Sequence, residues 1–293
     1  TDTSFHSQFQ PRQPDFGHSA GPPPHQPCCR CASLVAANVA SQAAELAALS
    51  ASHERLLADN GVAAGVRSAV LVCLACDCPR PGEAGGGQPA QAESLSPNPR
   101  VLLTKRSTRL TSFSGQVSFP GGKSDPGADA GPVATALREA AEEIGLSPGL
   151  VRVLAVLPVM PLGRHLVTPV LAYLAPRLSR VRLAPNPDEV DELLTPPLRW
   201  ALPDGGAPAA GRLEFRSRRV GRWLDCDIPV LSLRPGLAVF GFTCHLLVLA
   251  ACICHRRYPL YPLEPFCHGL LLLGLLVSQG LLLPDPERLI SRL

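Results

Sequence analysis

Net charge is nearly absent from this chain of 293 residues: Lys and Arg total 27, Asp and Glu 24, leaving +3 at neutral pH. So small a balance does not argue for nucleic acid, whose phosphates call for a strongly basic face. The two cysteine clusters, among eleven cysteines in all, lack a His-rich stretch after them. Cys28-Cys29-Arg30-Cys31 and Cys73-Leu74-Ala75-Cys76-Asp77-Cys78 do contain metal-like spacings. Cys73 falls in an apolar strand pattern at 70–74, and most other cysteines lie in apolar runs, where a free thiol behaves as a small hydrophobe. The odd count and the want of a secretory signal pattern lead us to expect reduced thiols in a cell interior, with a zinc site as the alternative. The sequence opens on Thr1 rather than Met, so a processed or incomplete product is expected.

Basic residues are also missing from the end of one helix, where a helix built only for solubility would carry them. Pro132 suits a first helical turn and Gly145 a helix end, which predicts a helix of about three turns between them. Glu139, Glu142 and Glu143 stand at i, i+3 and i+4, so their carboxylates share one face, in the half where the helix dipole is negative. The like-charge pair costs about 0.2–0.5 kcal/mol, and each acid near the C-terminus about 0.3–1 kcal/mol more. A hard divalent cation over the cluster would offset that cost, and oxygen-only ligands point to Mg²⁺ or Mn²⁺. Taken alone, such a run is usually a solvated face. What precedes it reverses those odds. Residues 116–119 alternate like a strand and lead into Gly121-Gly122-Lys123, a turn in which glycine allows close backbone approach and Lys123 offers a point charge for phosphate. Strand, Gly-rich turn and carboxylate-bearing helix together point to metal-assisted attack on a phosphoanhydride.

This arrangement resembles the signature of the Nudix hydrolases, which Arg138-Glu139-Ala140-Ala141-Glu142-Glu143-Ile144-Gly145 matches throughout. Leu103-Thr104-Lys105-Arg106-Ser107, Leu110 and Gly115-Gln116-Val117-Ser118-Phe119-Pro120-Gly121-Gly122 are similar to the additional motif of the coenzyme A diphosphatase branch. Later landmarks of that branch resemble Asn186-Pro187-Asp188-Glu189-Val190-Asp191-Glu192 and Val239-Phe240-Gly241-Phe242-Thr243, so the resemblance covers about residues 66–250. It implies an α/β/α sandwich around a mixed sheet, and hydrolysis of CoA or acyl-CoA to adenosine 3′,5′-bisphosphate and (acyl-)4′-phosphopantetheine. Glu139, Glu142 and Glu143 would hold Mg²⁺ or Mn²⁺, Arg138 would orient them, and Gly121, Gly122, Lys123 and Arg106 would form the substrate-binding set. By the same resemblance Glu189 or Glu192 would assist metal binding or water activation, against a solvated or helix-capping role. Three departures stand out: Thr111 and Phe113 occupy places where the branch usually has Arg and His, the box lacks a Glu and offers only Asp125 and Asp129, and Gly122 lies farther from Arg138 than in the generic pattern. Hydrolysis of another nucleoside diphosphate derivative, such as NADH or ADP-ribose, is one alternative. A non-catalytic, membrane-associated binding module of the same fold is the other.

The expected organisation is a disordered tail at 1–32, a helix at 33–60, the catalytic domain at 61–254 with a flexible insertion at 79–99, and an apolar extension at 255–293. Strands are expected at 68–76, 100–106, 151–159 and 166–174, a hairpin at 212–233 and a core helix at 237–251. The apolar runs within 237–283 leave open a membrane hairpin or a membrane-surface helix beside buried packing. The final Ser291-Arg292-Leu293 is a variant of the peroxisomal address, so a peroxisomal import receptor is an expected partner.

Overall fold

A computed structural model describes residues 30–59, 65–76, 99–162, 165–202, 213–220 and 224–256. The expected tail before residue 30, nearly all of the 79–99 insertion, the second apolar run and Ser291-Arg292-Leu293 lie outside these residues, as do Cys28, Cys29 and Cys78.

The helix expected at 33–60 is two helices, α1 (Arg30–Ala40) and α2 (Ala43–Asp59), separated by a turn at Ser41 and Gln42. Strand β1 (Val66–Ala75) follows, then β2 (Arg100–Val101), β3 (Leu103–Arg106) and β4 (Val117–Ser118). Gly121–Lys123, expected to be a turn, is itself a strand, β5. It pairs antiparallel with β1, placing Gly121 opposite Val70 and Gly122 opposite Ala69. Local sequence favours a turn at two glycines, but the hydrogen-bonding edge of β1 decides otherwise. The carboxylate-bearing helix, α3, spans Pro132–Ile144, close to the expected limits.

Next come β6 (Val151–Val156), β7 (Met160–Leu162), β8 (His165–Leu174) and β9 (Val190–Leu194). β1 runs parallel to β8, while β2, β5, β6 and β7 join antiparallel, so the main sheet is mixed. A smaller sheet has the order β4-β3-β9. The expected hairpin is β10 (Leu213–Val220) and β11 (Leu224–Arg234), extended by β12 (Leu237–Phe240). Residues 237–240 therefore do not begin the core helix, as periodicity alone suggested. An apolar run reads equally well as strand or helix, and pairing with β11 selects the strand. Helix α4 starts only at Gly241 and runs to His255.

Successive residues of β1 face opposite layers. Ala69, Leu71, Cys73 and Ala75 pack with Ala136, Ala140 and Ile144 of α3. Val72 and Leu74 share a second core with Val35 and Val39 of α1 and with most of α4. Each fully buried leucine here contributes about 1.5–3 kcal/mol. The result is the helix–sheet–helix sandwich that the family resemblance implied.

Every residue of α4 from Cys244 to Cys254 is buried, which explains a helix apolar on all sides. Its last carbonyls are capped from the end of α1 and the turn after it: the Asn38 amide donates to Cys254 O and the Gln42 amide to Ile253 O, both at 2.8 Å. At 15 residues α4 is about 22 Å long, short of a bilayer core of about 30 Å. Among the described residues no helix is long and apolar enough to cross a membrane. Cys31, Cys73, Cys76, Cys244, Cys252 and Cys254 are buried. Burial pushes the Cys73 thiol up to about 12, so it stays protonated.

Candidate active site

Helix α3 is anchored at both ends. Pro132 occupies its first turn, and Gly145, in the left-handed region at φ 66°, closes it by donating to Ala141 O while Leu146 donates to Ala140 O. With Ala136, Ala140 and Ile144 held against the sheet, Glu139 and Glu143 point along the margin where α3 meets β5. Glu143 is almost wholly enclosed. One carboxylate oxygen accepts the Gly121 N–H at 3.2 Å, and the other lies 3.8 Å from Arg106 Nη1. Its pKa is pushed up to about 7, chiefly by burial; the Gly121 N–H and Arg106 oppose the rise, while Glu139 and Glu189 add to it. Glu139 is also raised, again chiefly by burial, with Arg138 opposing.

Adjacent glycines serve this geometry differently. A Cβ on Gly121, whose φ is +155°, would sit 2.3 Å from Ala69 O and 2.7 Å from Val70 Cα, so Gly121 permits the β1–β5 pairing itself. A Cβ on Gly122 would instead fall 2.4–2.6 Å from the Glu139 carboxylate. Gly122 is the floor on which that carboxylate rests.

Arg138 organises the surrounding charge. Its Nε and Nη2 grip the two oxygens of Asp129 at 3.0 Å each, Nη2 also donates to Lys123 O, and Nη1 donates to Glu142 at 2.9 Å. Nη2 lies 3.0 Å from Glu139 as well. The Asp129 carboxylate is enclosed, its side chain 2% exposed, and further accepts from Thr135 Oγ1 and the Asp125 N–H. Its hydrogen bonds from Arg138 above all hold its carboxyl well below the usual range. Asp129 thus latches Arg138 from a loop nine positions away, a role that sequence spacing did not reveal. The departure from the generic box at this point was the only signal for it.

A family profile described as NUDIX domain matches residues 95–224, a stretch that includes α3, β5 and β9. The chain carries a Nudix domain. It is 48% identical over 107 residues to an uncharacterized Nudix hydrolase, NudL, of Photorhabdus laumondii, covering 36% of this chain and 55% of that protein. It is 35% identical over 200 residues to a mitochondrial protein of Arabidopsis thaliana, Nudix hydrolase 15, covering 67% of this chain and 61% of that one. The chain therefore spans a little over half the length of the curated relatives it matches. Among solved structures, a Nudix hydrolase of M. smegmatis, RenU, aligns over 45% of this chain and 71% of its own at 24% identity and a TM-score of 0.31.

Within the Nudix domain the predicted site residues are only partly brought together. Glu139 and Glu143 lie side by side with Arg106, Gly121 and Gly122. Glu142 turns outward, 56% exposed, to pair with Arg138. Lys123 is exposed at the end of β5 and contributes its carbonyl to Arg138. Glu189, in the turn before β9, is tied to the end of β3 by the Ser107 N–H and raises the pKa of both inner glutamates. Glu192 faces elsewhere and forks both guanidinium nitrogens of Arg234 at 2.7 and 2.5 Å. The helix-capping alternative for these two acids is corrected: the element that follows is a strand.

Among the described residues no three acidic, histidine or cysteine side chains already form a closed metal cage. The donor set nonetheless fits a hard cation. Glu139 and Glu143 are carboxylates whose enclosed charge is only partly balanced by arginine, with Glu189 near enough to affect both. Arg106 Nε, beside them, is buried without a hydrogen-bond partner, as expected where a polar ligand completes the site.

Proposed function

We propose that this protein hydrolyses the pyrophosphate linkage of a nucleoside diphosphate derivative, and that its substrates are CoA and acyl-CoA. The observation that carries the proposal is the convergence of two enclosed carboxylates, Glu139 and Glu143, with the buried, incompletely bonded guanidinium of Arg106. Carboxylates suit a divalent cation, and the guanidinium suits a phosphate oxygen. The narrower CoA assignment is supported by the residues of β3 and of 115–122 that resemble the CoA branch.

Glu139 and Glu143, with Glu142 swinging in from its exposed position, would hold Mg²⁺ or Mn²⁺. Such an ion neutralises phosphate charge and lowers the pKa of water. Arg138, pinned by Asp129, is a positioning residue that holds Glu139 over Gly122. Arg106 binds a phosphate oxygen, and the exposed Lys123 adds positive charge nearby. Water adds to one phosphorus, the P–O–P bond breaks, and the two products leave as adenosine 3′,5′-bisphosphate and (acyl-)4′-phosphopantetheine. Delivery to peroxisomes through Ser291-Arg292-Leu293 belongs to the same proposal.

The test incubates purified protein with Mg²⁺ or Mn²⁺ and separate pools of CoA, acyl-CoA, NADH and ADP-ribose. Cleavage of the CoA species, lost in Glu143→Gln, is the expected result. Preferred cleavage of NADH or ADP-ribose would overturn the CoA assignment, and no cleavage of any pool would overturn the hydrolase assignment.

A further inference from the structure

Beside the carboxylates, a cleft of about 500 Å³ opens between the 114–116 turn and the β11–β12 hairpin, lined by Ser114, Gly115, Gln116, Arg234, Leu237 and Phe240. Its volume suits a small-molecule arm. Backbone hydrogen bonds tie its lip to the site already described. Arg106 donates its N–H to Gln116 O at 2.9 Å and accepts the Gly115 N–H at 3.2 Å, while its guanidinium faces Glu143. A single residue of β3 therefore joins the lip of the cleft to the inner carboxylates.

The chemistry of the cleft differs from that of the carboxylate site. Arg234 is the only charged side chain among its described lining residues, and Glu192 occupies both ends of that guanidinium. A cation committed in this way leaves little for a phosphate. Four large apolar residues are exposed among those described. One of them, Phe240, 46% exposed, lines the cleft on the β12 wall, and a second, Phe113, 58% exposed, directly precedes Ser114 of the opposite lip. Phe113 is held at φ 54°, a backbone region that bulky residues rarely occupy, and its carbonyl accepts the Gln116 N–H. Exposed aromatics gathered at a neutral cleft mark an apolar binding surface.

We propose that this cleft receives an uncharged apolar arm of the substrate, an alkyl or acyl chain, and that Phe113 and Phe240 set the preference for it. The proposal rests on the hydrolase reading of the neighbouring carboxylates. Burial of part of the chain against each ring makes an acylated substrate better than its unacylated counterpart, chiefly through KM.

The experiment measures kcat and KM for dodecanoyl-CoA and for CoA with wild type, Phe240→Ser, Phe113→Ser and, as a control at an exposed apolar residue outside the cleft, Val156→Ser. Thermal melts establish that each variant is folded. The ratio of kcat/KM for dodecanoyl-CoA over CoA should fall about ten-fold in each phenylalanine variant, through KM, and hold in the control. An unchanged ratio in both variants overturns the proposal. So does an equal loss on both substrates, which would place the nucleotide end in the cleft. If wild type cleaves neither substrate, the hydrolase reading fails separately, and equilibrium binding of dodecanoyl-CoA and CoA in metal-free buffer decides the cleft. Tighter dodecanoyl-CoA binding that Phe240→Ser weakens about ten-fold supports it, and equal binding by wild type and variant overturns it.

Discussion

Replacing each of two adjacent glycines by alanine should produce opposite phenotypes. In Gly122→Ala the new methyl meets only the end of a side chain, the Glu139 carboxylate, at 2.4–2.6 Å. Ordinary contact requires a separation about 1 Å larger, so the carboxylate must retreat by that amount. As the end of a flexible side chain it can do so, but retreat breaks its 3.0 Å pairing with Arg138. Stability should change by less than about 1 kcal/mol, since alanine also restricts the unfolded chain. Mn²⁺ affinity and hydrolysis should fall about 100-fold, the usual consequence of displacing a catalytic group by an ångström. In Gly121→Ala the methyl meets backbone, Ala69 O at 2.3 Å and Val70 Cα at 2.7 Å, at a φ of +155°. Nothing there can rotate away. Loss of about 3 kcal/mol or more is expected, with β5 detached from β1. Urea unfolding monitored by circular dichroism, together with Mn²⁺ titration by water-proton relaxation, separates the two. Wild-type Mn²⁺ affinity in a folded Gly122→Ala protein would refute the idea that Gly122 seats Glu139. Equal destabilisation by both substitutions would refute the distinction between them.

Substitutions at three other residues have equally definite outcomes. Asp129→Asn should free Arg138 and lower hydrolysis about ten-fold without abolishing folding, and Asp129→Glu should restore part of the loss. Because the Asp129 carboxyl is held low in the folded state, its stabilisation is present above the unfolded carboxylate pKa and lost as pH falls below about 4; Asp129→Asn should flatten that limb of an acid titration. His245 is buried, and its pKa falls from 6.5 to about 4. The unfolded chain therefore binds an extra proton between those values, so stability should fall with acidification through that window, by about 3 kcal/mol at most, and His245→Leu should remove this component from urea melts at pH 7 and pH 4. Gln42→Ala removes the side-chain donor to the buried Ile253 carbonyl, leaving it the longer Arg256 N–H bond at 3.3 Å, and should cost about 1 kcal/mol in the same assay.

Three levels of legibility can be distinguished in this chain. Helix α3 and its acidic face were readable because helix limits and side-chain periodicity are local properties, carried by Pro132, Gly145 and the i, i+3, i+4 spacing. Strands β6 and β8 were readable from composition. Asp129 was not, because its bond to Arg138 depends on how the 124–131 loop folds back, and loop conformation leaves no periodic trace. The split of the N-terminal helix also escaped, since the break at Ser41 and Gln42 is tied to carbonyls of α4 more than 200 positions away.

By itself, then, the amino-acid order determined a carboxylate-bearing helix suited to a hard cation, a glycine-rich approach to it, and a family resemblance that the profile match supports. Tertiary structure alone decided how the three acids differ. Glu143 is enclosed by β5 and Arg106, Glu139 rests on Gly122, and Glu142 faces solvent, although all three look equivalent on a helical face. It also decided the place of the apolar run at 237–254, whose first residues became a strand and whose remainder became a core helix. Burial depends on what packs against a segment, and an apolar run carries the same residues whether lipid, sheet or another helix encloses it.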